Sequence, residues 1–164
     1  MDLRDEITYP TSDPEAAFAL VVDPDFRAEV CEASHALDYD VSVDSHQDGS
    51  ADVTVNRVMP ADLPDAMKKM VGETVTIVQT EAWGAPGSDG ARVADLLISI
   101  KGQPATMKGT IEMAPTGGQV VSTIAGDVKV AVPFFGKKIE PEIAKAIIAA
   151  IRVEQKTVRA RLGG

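Results

Sequence analysis

The chain has 164 residues, of which 45% are hydrophobic and 25% charged, and its formal net charge is −9. This length and composition are typical of a globular fold, and we expect residues 1–164 to form a single domain. The negative charge repels nucleic-acid phosphates and anionic lipid headgroups, so we expect no nucleic-acid partner and no stable membrane association.

The first part of the chain predicts one strand followed by two short helices. Asp2–Tyr9 alternates as a short strand does, and it stops at Pro10, which cannot donate to a sheet ladder. An Asp-Pro pair then occurs twice, each time placing an N-cap aspartate before a proline at the first helical position. These pairs predict helices over Pro14–Val21 and, approximately, Pro24–Ala33.

Six further segments are predicted to be strands. In some of them apolar residues recur at every second position, and the others are largely apolar runs bounded by turn-forming residues. Short turns rich in glycine and proline separate most of them, which indicates an antiparallel meander. One or two helical turns are predicted over Pro64–Val71. The predicted strands are Leu37–Gln47, Ala51 to about Pro60, Glu73–Trp83, Arg92–Ile100, Thr106–Ala114 and Gln119–Val132.

The C-terminal part predicts one long helix. Apolar residues recur there at helical spacing over about 25 residues, from Ile139 to Leu162. Alanines between them reduce the bulk of the side chains, so the helix can lie close to a sheet. The chain as a whole therefore predicts an α+β fold.

Several motifs resemble a known family. The order of one strand, two short helices, six strands and a long helix is that of the helix-grip fold of START-related and Bet v 1-like proteins (the SRPBCC superfamily). Within it, Tyr9-Pro10-Thr11, Val22–Phe26 and above all Gly126–Glu140 (GDVKVAVPFFGKKIE) resemble DUF2505, an actinobacterial family of uncharacterised proteins. The resemblance covers essentially the whole chain.

The resemblance implies a curved seven-stranded antiparallel sheet, with two short N-terminal helices, wrapped around a long C-terminal helix. It also implies a cavity between sheet and helix, which in related families holds lipids, sterols, polyketides or other apolar molecules. It implies no activity, because the family has no established one.

Apolar residues on the predicted sheet and helix are candidates for the wall of that cavity, although at this spacing they are first of all core residues. Two phenylalanines beside Gly136 could gate the cavity or plug its end. The candidates are Val75, Ile77, Leu96, Ile98, Met107, Ile111, Met113 and Ile124 on the sheet, Phe134 and Phe135 at the helix entry, and Ile143, Ile147 and Ile151 on the helix.

Two carboxylates interrupt predicted strands that are otherwise largely apolar or neutral, namely Glu81 and Asp95. Inside a cavity, either could orient a ligand or transfer a proton, with a pKa raised by desolvation. The alternative is that each points outward or pairs with Arg57 or Arg92 on a neighbouring strand, and we favour this alternative.

The remaining chemistry-bearing residues predict no catalytic constellation, metal site or cofactor. His35 and His46 would point to opposite faces of a regular strand, so a shared metal site is not expected. The single cysteine, Cys31, cannot form an intramolecular disulfide, and we expect an inert thiol there. Ser34 and His35 are adjacent in sequence, but a catalytic nucleophile and its base need side chains that meet in space, which adjacency does not provide.

The N-terminal residues are acidic and lack an apolar signal-peptide core, and no stretch approaches the roughly 20 apolar residues that span a bilayer. We therefore expect a cytoplasmic protein.

The leading functional hypothesis is the binding or transport of a small apolar molecule without catalysis. The second hypothesis is a cyclase- or dehydratase-like enzyme that uses Glu81, Asp95 or His35. The third is a ligand-free interaction module, for example one that acts through Met67–Met70. The sequence leaves the oligomeric state undetermined.

Overall fold

The computed structural model describes residues 1–62 and 65–163, apart from the side chains of residues 66, 67 and 70. Its helices are α1 (Pro14–Val21), α2 (Pro24–Ala33), α3 (Asp65–Val71) and α4 (Gly136–Leu162). Its strands are β1 (Asp2–Tyr9), β2 (Asp38–Ser45), β3 (Ala51–Pro60), β4 (Thr74–Trp83), β5 (Arg92–Ile100), β6 (Ala105–Thr116) and β7 (Gln119–Val130).

The seven strands form one antiparallel sheet in the order β1-β7-β6-β5-β4-β3-β2. Strands β2 to β7 follow one another as a meander, and β1 joins the open side of β7, with Tyr9 opposite Val120. This arrangement confirms the predicted α+β helix-grip class. The predicted elements are present with small shifts at their ends: the last strand stops at Val130 rather than Val132, and Pro64 of the predicted short helix lies outside the described residues.

Side chains alternate between an inner face, which α4 and α2 cover, and an outer face exposed to solvent. On β5, Arg92, Ala94 and Leu96 are buried, whereas Val93 and Asp95 between them are exposed. This alternation is the period-two pattern that predicted the strands. Leu37 is an exception to the predicted pattern, since it precedes β2 at the edge of the sheet and is 62% exposed.

Two facing glycines allow β6 and β7 to approach closely at the centre of the inner face. Gly109 lies opposite Gly126. A Cβ atom built on Gly109 would lie 2.0 Å from the backbone oxygen of Ala125. Any larger residue at this position would therefore have to separate the two strands, so these glycines are needed for the local geometry of the sheet.

Local capping explains where the first two helices begin. The Asp13 side chain accepts a hydrogen bond from the Glu15 backbone nitrogen at 3.0 Å. At α2, Asp23 accepts one from the Asp25 backbone nitrogen at 2.9 Å. Each Asp-Pro pair thus acts as the predicted N-cap signal.

Helix α4 packs chiefly against β1, β7 and α2. The Gln155 side chain fastens it to the edge of the sheet, donating to the Thr8 backbone oxygen and accepting from the Thr8 nitrogen, both at 2.8 Å. The α4 residues facing this edge are buried: Ala144, Ile151, Gln155 and Val158.

A second stripe of α4 is only half-buried. Its members recur at intervals of four, three and four residues, so they lie on one side of the helix. They are Ile143, Ile147, Ala150 and Glu154. We call the space between this stripe and the inner face of β3–β5 the inner cleft.

Candidate functional site

A buried carboxylate lies at the centre of the inner face, on β4. The Glu81 side chain is 2% exposed, and its oxygens accept three hydrogen bonds. The donors are Arg27 Nη2 at 2.7 Å, Gln79 Nε2 at 2.7 Å and Trp83 Nε1 at 2.9 Å. Period-two alternation puts Gln79, Glu81 and Trp83 on the inner face. The favoured expectation that Glu81 points outward or pairs with Arg57 or Arg92 is therefore wrong, because its partner is Arg27 on α2.

The partner of Glu81 comes from α2. The Arg27 side chain is 5% exposed. It also donates from Nε to the Val21 backbone oxygen at 2.8 Å. Burial alone would raise the pKa of Glu81, but the Arg27 charge and the three hydrogen bonds outweigh it and lower that pKa below its ordinary value. Glu81 is thus an ionised half of a buried ion pair.

A second buried cation lies beside this pair on β3. Arg57 is 9% exposed and donates from Nη2 to Gln79 Oε1 at 3.1 Å. The residues Arg57, Gln79, Glu81, Arg27 and Trp83 thus form one chain of hydrogen bonds across β3, β4 and α2.

Two further titratable groups face this chain. Burial raises the pKa of Tyr9, which is 1% exposed on β1. Burial also raises the pKa of the half-buried Glu154 on α4, where the positive charges of Arg27 and Arg57 oppose the effect and Glu81 adds to it. Among the described residues, the Glu154 carboxyl has no hydrogen bond or ion pair.

The other end of the interior is closed by aromatic packing. The rings of Phe18 and Trp83 meet edge to face, with centroids 5.4 Å apart. The Arg92 guanidinium stacks on Phe18 at 3.6 Å and pairs with Glu15 at 3.3 Å. Phe18 and Trp83 belong to the buried core, and Nε and Nη1 of Arg92 have no hydrogen-bond partner among the described residues.

The predicted cavity-wall residues fall into two groups. One group is buried in the core: Leu96, Met107, Ile111, Met113, Ile124 and Ile151. The other is half-buried: Val75, Ile77, Ile98, Ile143 and Ile147. The half-buried residues lie on β4, β5 and the second stripe of α4, and therefore border the inner cleft.

Three predicted residues lie away from the inner cleft. Asp95 is exposed on the outer face, because its register opposite Ala82 and Thr110 turns it away from α4. Phe134 and Phe135 are 96% and 58% exposed. Phe134 has a left-handed backbone conformation, with φ of 69°, in the turn that leads into α4. None of these three side chains forms part of the interior wall.

Two surface depressions lie outside the inner cleft. A groove of about 560 Å³ runs between β1 and α4 and is lined by residues that include Arg4, Asp5, Arg152 and Arg159. A second, of about 310 Å³, lies on strands β4 to β6 and includes Asp95 and Lys108. Both are open to solvent.

The histidines take no part in the interior. His35 is exposed. His46 bonds Asp52 at 3.1 Å, and with Asp44 these residues bring ligand atoms within 4.8 Å of one another on the exposed β2–β3 hairpin. These groups could hold a cation, but the Asp52–His46 contact accounts for the arrangement as a surface hydrogen bond.

Sequence reasoning did not place three interior residues, two of which the patterns could have found. Arg57 continues the inward alternation of Ala51, Val53 and Val55. Glu154 continues the helical stripe of Ile143 and Ile147. Arg27 gave no signal, because its partner Glu81 lies 54 residues away in the chain.

None of the described helices combines the length and the hydropathy that crossing a bilayer requires.

Solved structures share this fold at low sequence identity. A Thermus thermophilus protein has a TM-score of 0.65 at 15% identity, covering 99% of this chain and 97% of that one. The Zhui aromatase/cyclase from Streptomyces has a TM-score of 0.62 at 10% identity, covering 99% of this chain and 93% of that one. A STAR-related lipid transfer protein from Xanthomonas axonopodis has a TM-score of 0.59 at 10% identity, covering 95% of this chain and 84% of that one. These likenesses show the START/Bet v 1-like helix-grip fold.

Relatives in sequence come from mycobacteria. Uncharacterised proteins of Mycobacterium tuberculosis and Mycobacterium bovis are each 28% identical over 120 residues, which covers 71% of this chain and 68% of each relative. Residues 6–162 match the family described as "Protein of unknown function (DUF2505)". The chain therefore belongs to the DUF2505 family, as the motifs in its sequence predicted.

Proposed function

We propose that the protein binds a small, mainly apolar molecule in the inner cleft. The observation that carries this proposal is the incomplete burial of apolar side chains on both sides of the cleft. Ile98 on β5 and Ile143 and Ile147 on α4 are only partly buried, although they pack against the core. A single partly exposed apolar side chain is ordinary in a folded protein, but here several of them border one cleft, and such a grouping is typical of a ligand-binding surface.

The position of α4 explains why these side chains remain uncovered. The helix packs on β1, β7 and α2, and β4 and β5 are not among its main neighbours in the described part of the chain. The sheet and the helix therefore diverge over β3–β5. A ligand placed there would cover the apolar side chains of both elements at once.

Burial of these side chains would provide the driving force. Removing apolar surface from water contributes about 25 cal/mol per Å², and ordering the ligand opposes it. Polar groups at the inner end would then orient the molecule. The solved neighbours named as a lipid transfer protein and an aromatase/cyclase support the proposal, because they have the same fold.

Proton transfer by Glu81 is not part of the proposed function. Its pKa is lowered, and its carboxylate oxygens are occupied by Arg27, Gln79 and Trp83. A carboxylate in this state is a poor proton donor at neutral pH, and its oxygens already accept three hydrogen bonds from the protein.

Native mass spectrometry of the purified protein, with small-molecule analysis of an organic extract, tests the proposal directly. We expect a bound mass that disappears on denaturation. If only the mass of the unliganded protein is found, the protein should then be titrated with a neutral apolar fluorophore. Failure of both measurements to detect binding would contradict the proposal.

Adjacent isoleucines on α4 offer a matched pair of variants. Ile147 borders the inner cleft, whereas Ile148 is 37% exposed. We expect Ile147→Trp to fill the cleft and weaken binding at least tenfold, and Ile148→Trp to leave it unchanged. Equal effects of the two variants would place the ligand elsewhere.

A further inference from the structure

Three arginines are buried in the described part of the chain, and they differ in their partners. Arg27 has the Glu81 carboxylate at 2.7 Å, and Arg92 has that of Glu15 at 3.3 Å. Arg57 is 9% exposed and has no carboxylate within 4.0 Å among the described residues. Its one hydrogen bond to another side chain is to the neutral amide of Gln79. A buried cation without an anion is unfavourable and calls for an explanation.

The position of Arg57 places its guanidinium at the inner end of the cleft. On β3 it lies opposite Ile77, one of the half-buried residues that border the cleft. The positive charge of Arg57 opposes the raised pKa values of Cys31 on α2 and of Glu154 on α4, so the guanidinium lies near both helices.

Groups already present in the interior do not neutralise Arg57. Glu81 is engaged by Arg27, Gln79 and Trp83. Glu154 is the other interior carboxyl, and burial favours its uncharged form. Tyr9 also has a raised pKa and stays uncharged at neutral pH. Arg27 and Glu81 offset each other's charge, and neither Arg57 nor Glu154 forms an ion pair within 4.0 Å among the described residues.

We infer that Arg57 is the anchor of the inner cleft and that the ligand is an amphiphile with a carboxylate. This inference rests on the proposed function and specifies its ligand class. The planar guanidinium offers parallel N–H donors that match a carboxylate in geometry as well as in charge.

The apolar part of the ligand would lie along the half-buried side chains. From Glu154 back to Ile143, α4 rises roughly 16 Å. Ile147 lies on this path, and Ile77 and Ile98 face it from the sheet. The cleft thus has a polar inner end and an apolar length, which is the polarity of a medium- or long-chain carboxylic acid.

Calorimetric titration with decanoate and with decanol at about pH 8 tests this inference, because an unperturbed carboxylic acid is ionised there. We expect the wild-type protein to bind decanoate at least tenfold more tightly, a difference of about 1.4 kcal/mol. Arg57→Gln should lose that preference, and Arg57→Lys should retain part of it. Thermal unfolding confirms that each variant is folded before its titration.

The second buried arginine supplies a control. Arg92 lies at the closed end of the interior, so a folded Arg92→Gln variant should keep the preference for decanoate. Equal binding of the acid and the alcohol, or a preserved preference in folded Arg57→Gln, would overturn the carboxylate anchor while leaving the binding function intact. Absence of binding for both probes would overturn the proposed function as well.

Discussion

Neutralising both members of the buried Arg27–Glu81 pair should destabilise the fold by clearly less than the sum of the two single changes. The side chains are 5% and 2% exposed, and the nitrogen and oxygen are 2.7 Å apart. At this separation the attraction is about 6 kcal/mol for an effective dielectric constant of about 20. Desolvation offsets much of it, so removing one partner costs about 3–5 kcal/mol. A domain has only about 5–15 kcal/mol of stability in total.

We expect Arg27→Met and Glu81→Gln each to cost about 3–5 kcal/mol, and the double variant to cost less than their sum by about 2 kcal/mol or more. Glutamine keeps an acceptor for Trp83 but replaces the oxygen that accepts from Gln79 with a donor, so the change removes the charge and one hydrogen bond. Urea denaturation followed by the fluorescence of Trp83, the only tryptophan in the sequence, and by circular dichroism measures all four proteins. If the loss of unfolding free energy in the double variant equals the sum of the two single losses within about 0.5 kcal/mol, the two residues are not coupled and the reasoning is refuted.

The pH dependence of the same pair has a definite sign. The pKa of Glu81 is lowered on folding from its ordinary value of 4.5. The ionised side chain therefore stabilises the fold at pH values above 4.5, and this contribution is lost as the pH falls below 4.5. Glu81→Gln should therefore lose stability less steeply in acid than the wild-type protein. In Arg27→Met the uncompensated carboxyl can take up a proton, so its deficit should be larger at neutral pH than in mild acid.

Three further variants test separate features. The pKa of Glu154 is raised on folding, so its ionisation destabilises the fold when the pH is above its ordinary pKa of 4.5. Glu154→Gln should therefore raise the free energy of unfolding at neutral pH, measured by urea denaturation. This gain should disappear as the pH falls below 4.5. Gly109→Ala should cost about 1–3 kcal/mol in the same assay, since its Cβ would meet Ala125, whereas exposed Gly84→Ala should stay within about 0.5 kcal/mol. Phe134→Gly should change the free energy of unfolding by at most about 1 kcal/mol, because it removes an exposed side chain from a left-handed backbone position; a loss above 2 kcal/mol would show that Phe134 makes stabilising contacts.

Local physics determined the parts of the fold that were predictable. Alternation along β5 and the Asp-Pro caps of α1 and α2 act within a few residues, so the sequence displays them directly. Leu37 was predicted to begin a strand, but the strand begins at Asp38 and Leu37 is exposed. The last strand ends at Val130, two residues earlier than predicted.

The candidate site was predictable on its apolar side and not on its polar side. Ile98, Ile143 and Ile147 were identified by spacing. Arg27 and Arg57 were not, because charged residues are ordinarily exposed and only a partner elsewhere in the chain makes their burial tolerable. Glu81 was correctly singled out as unusual, but its pairing with Arg27 required the packing of α2 against the sheet, which no local pattern encodes.

The pairing of β1 with β7 also affects how the protein is made. Strand β1 is synthesised first, yet its neighbours β7 and α4 are more than 100 residues away along the chain. During translation β1 has no partner, and the meander β2–β7 can assemble before the sheet reaches its full width. Contacts of such sequence separation slow folding. The bonds between Gln155 and Thr8 can form only after α4 has left the ribosome, and they cover an edge that could otherwise pair with another chain.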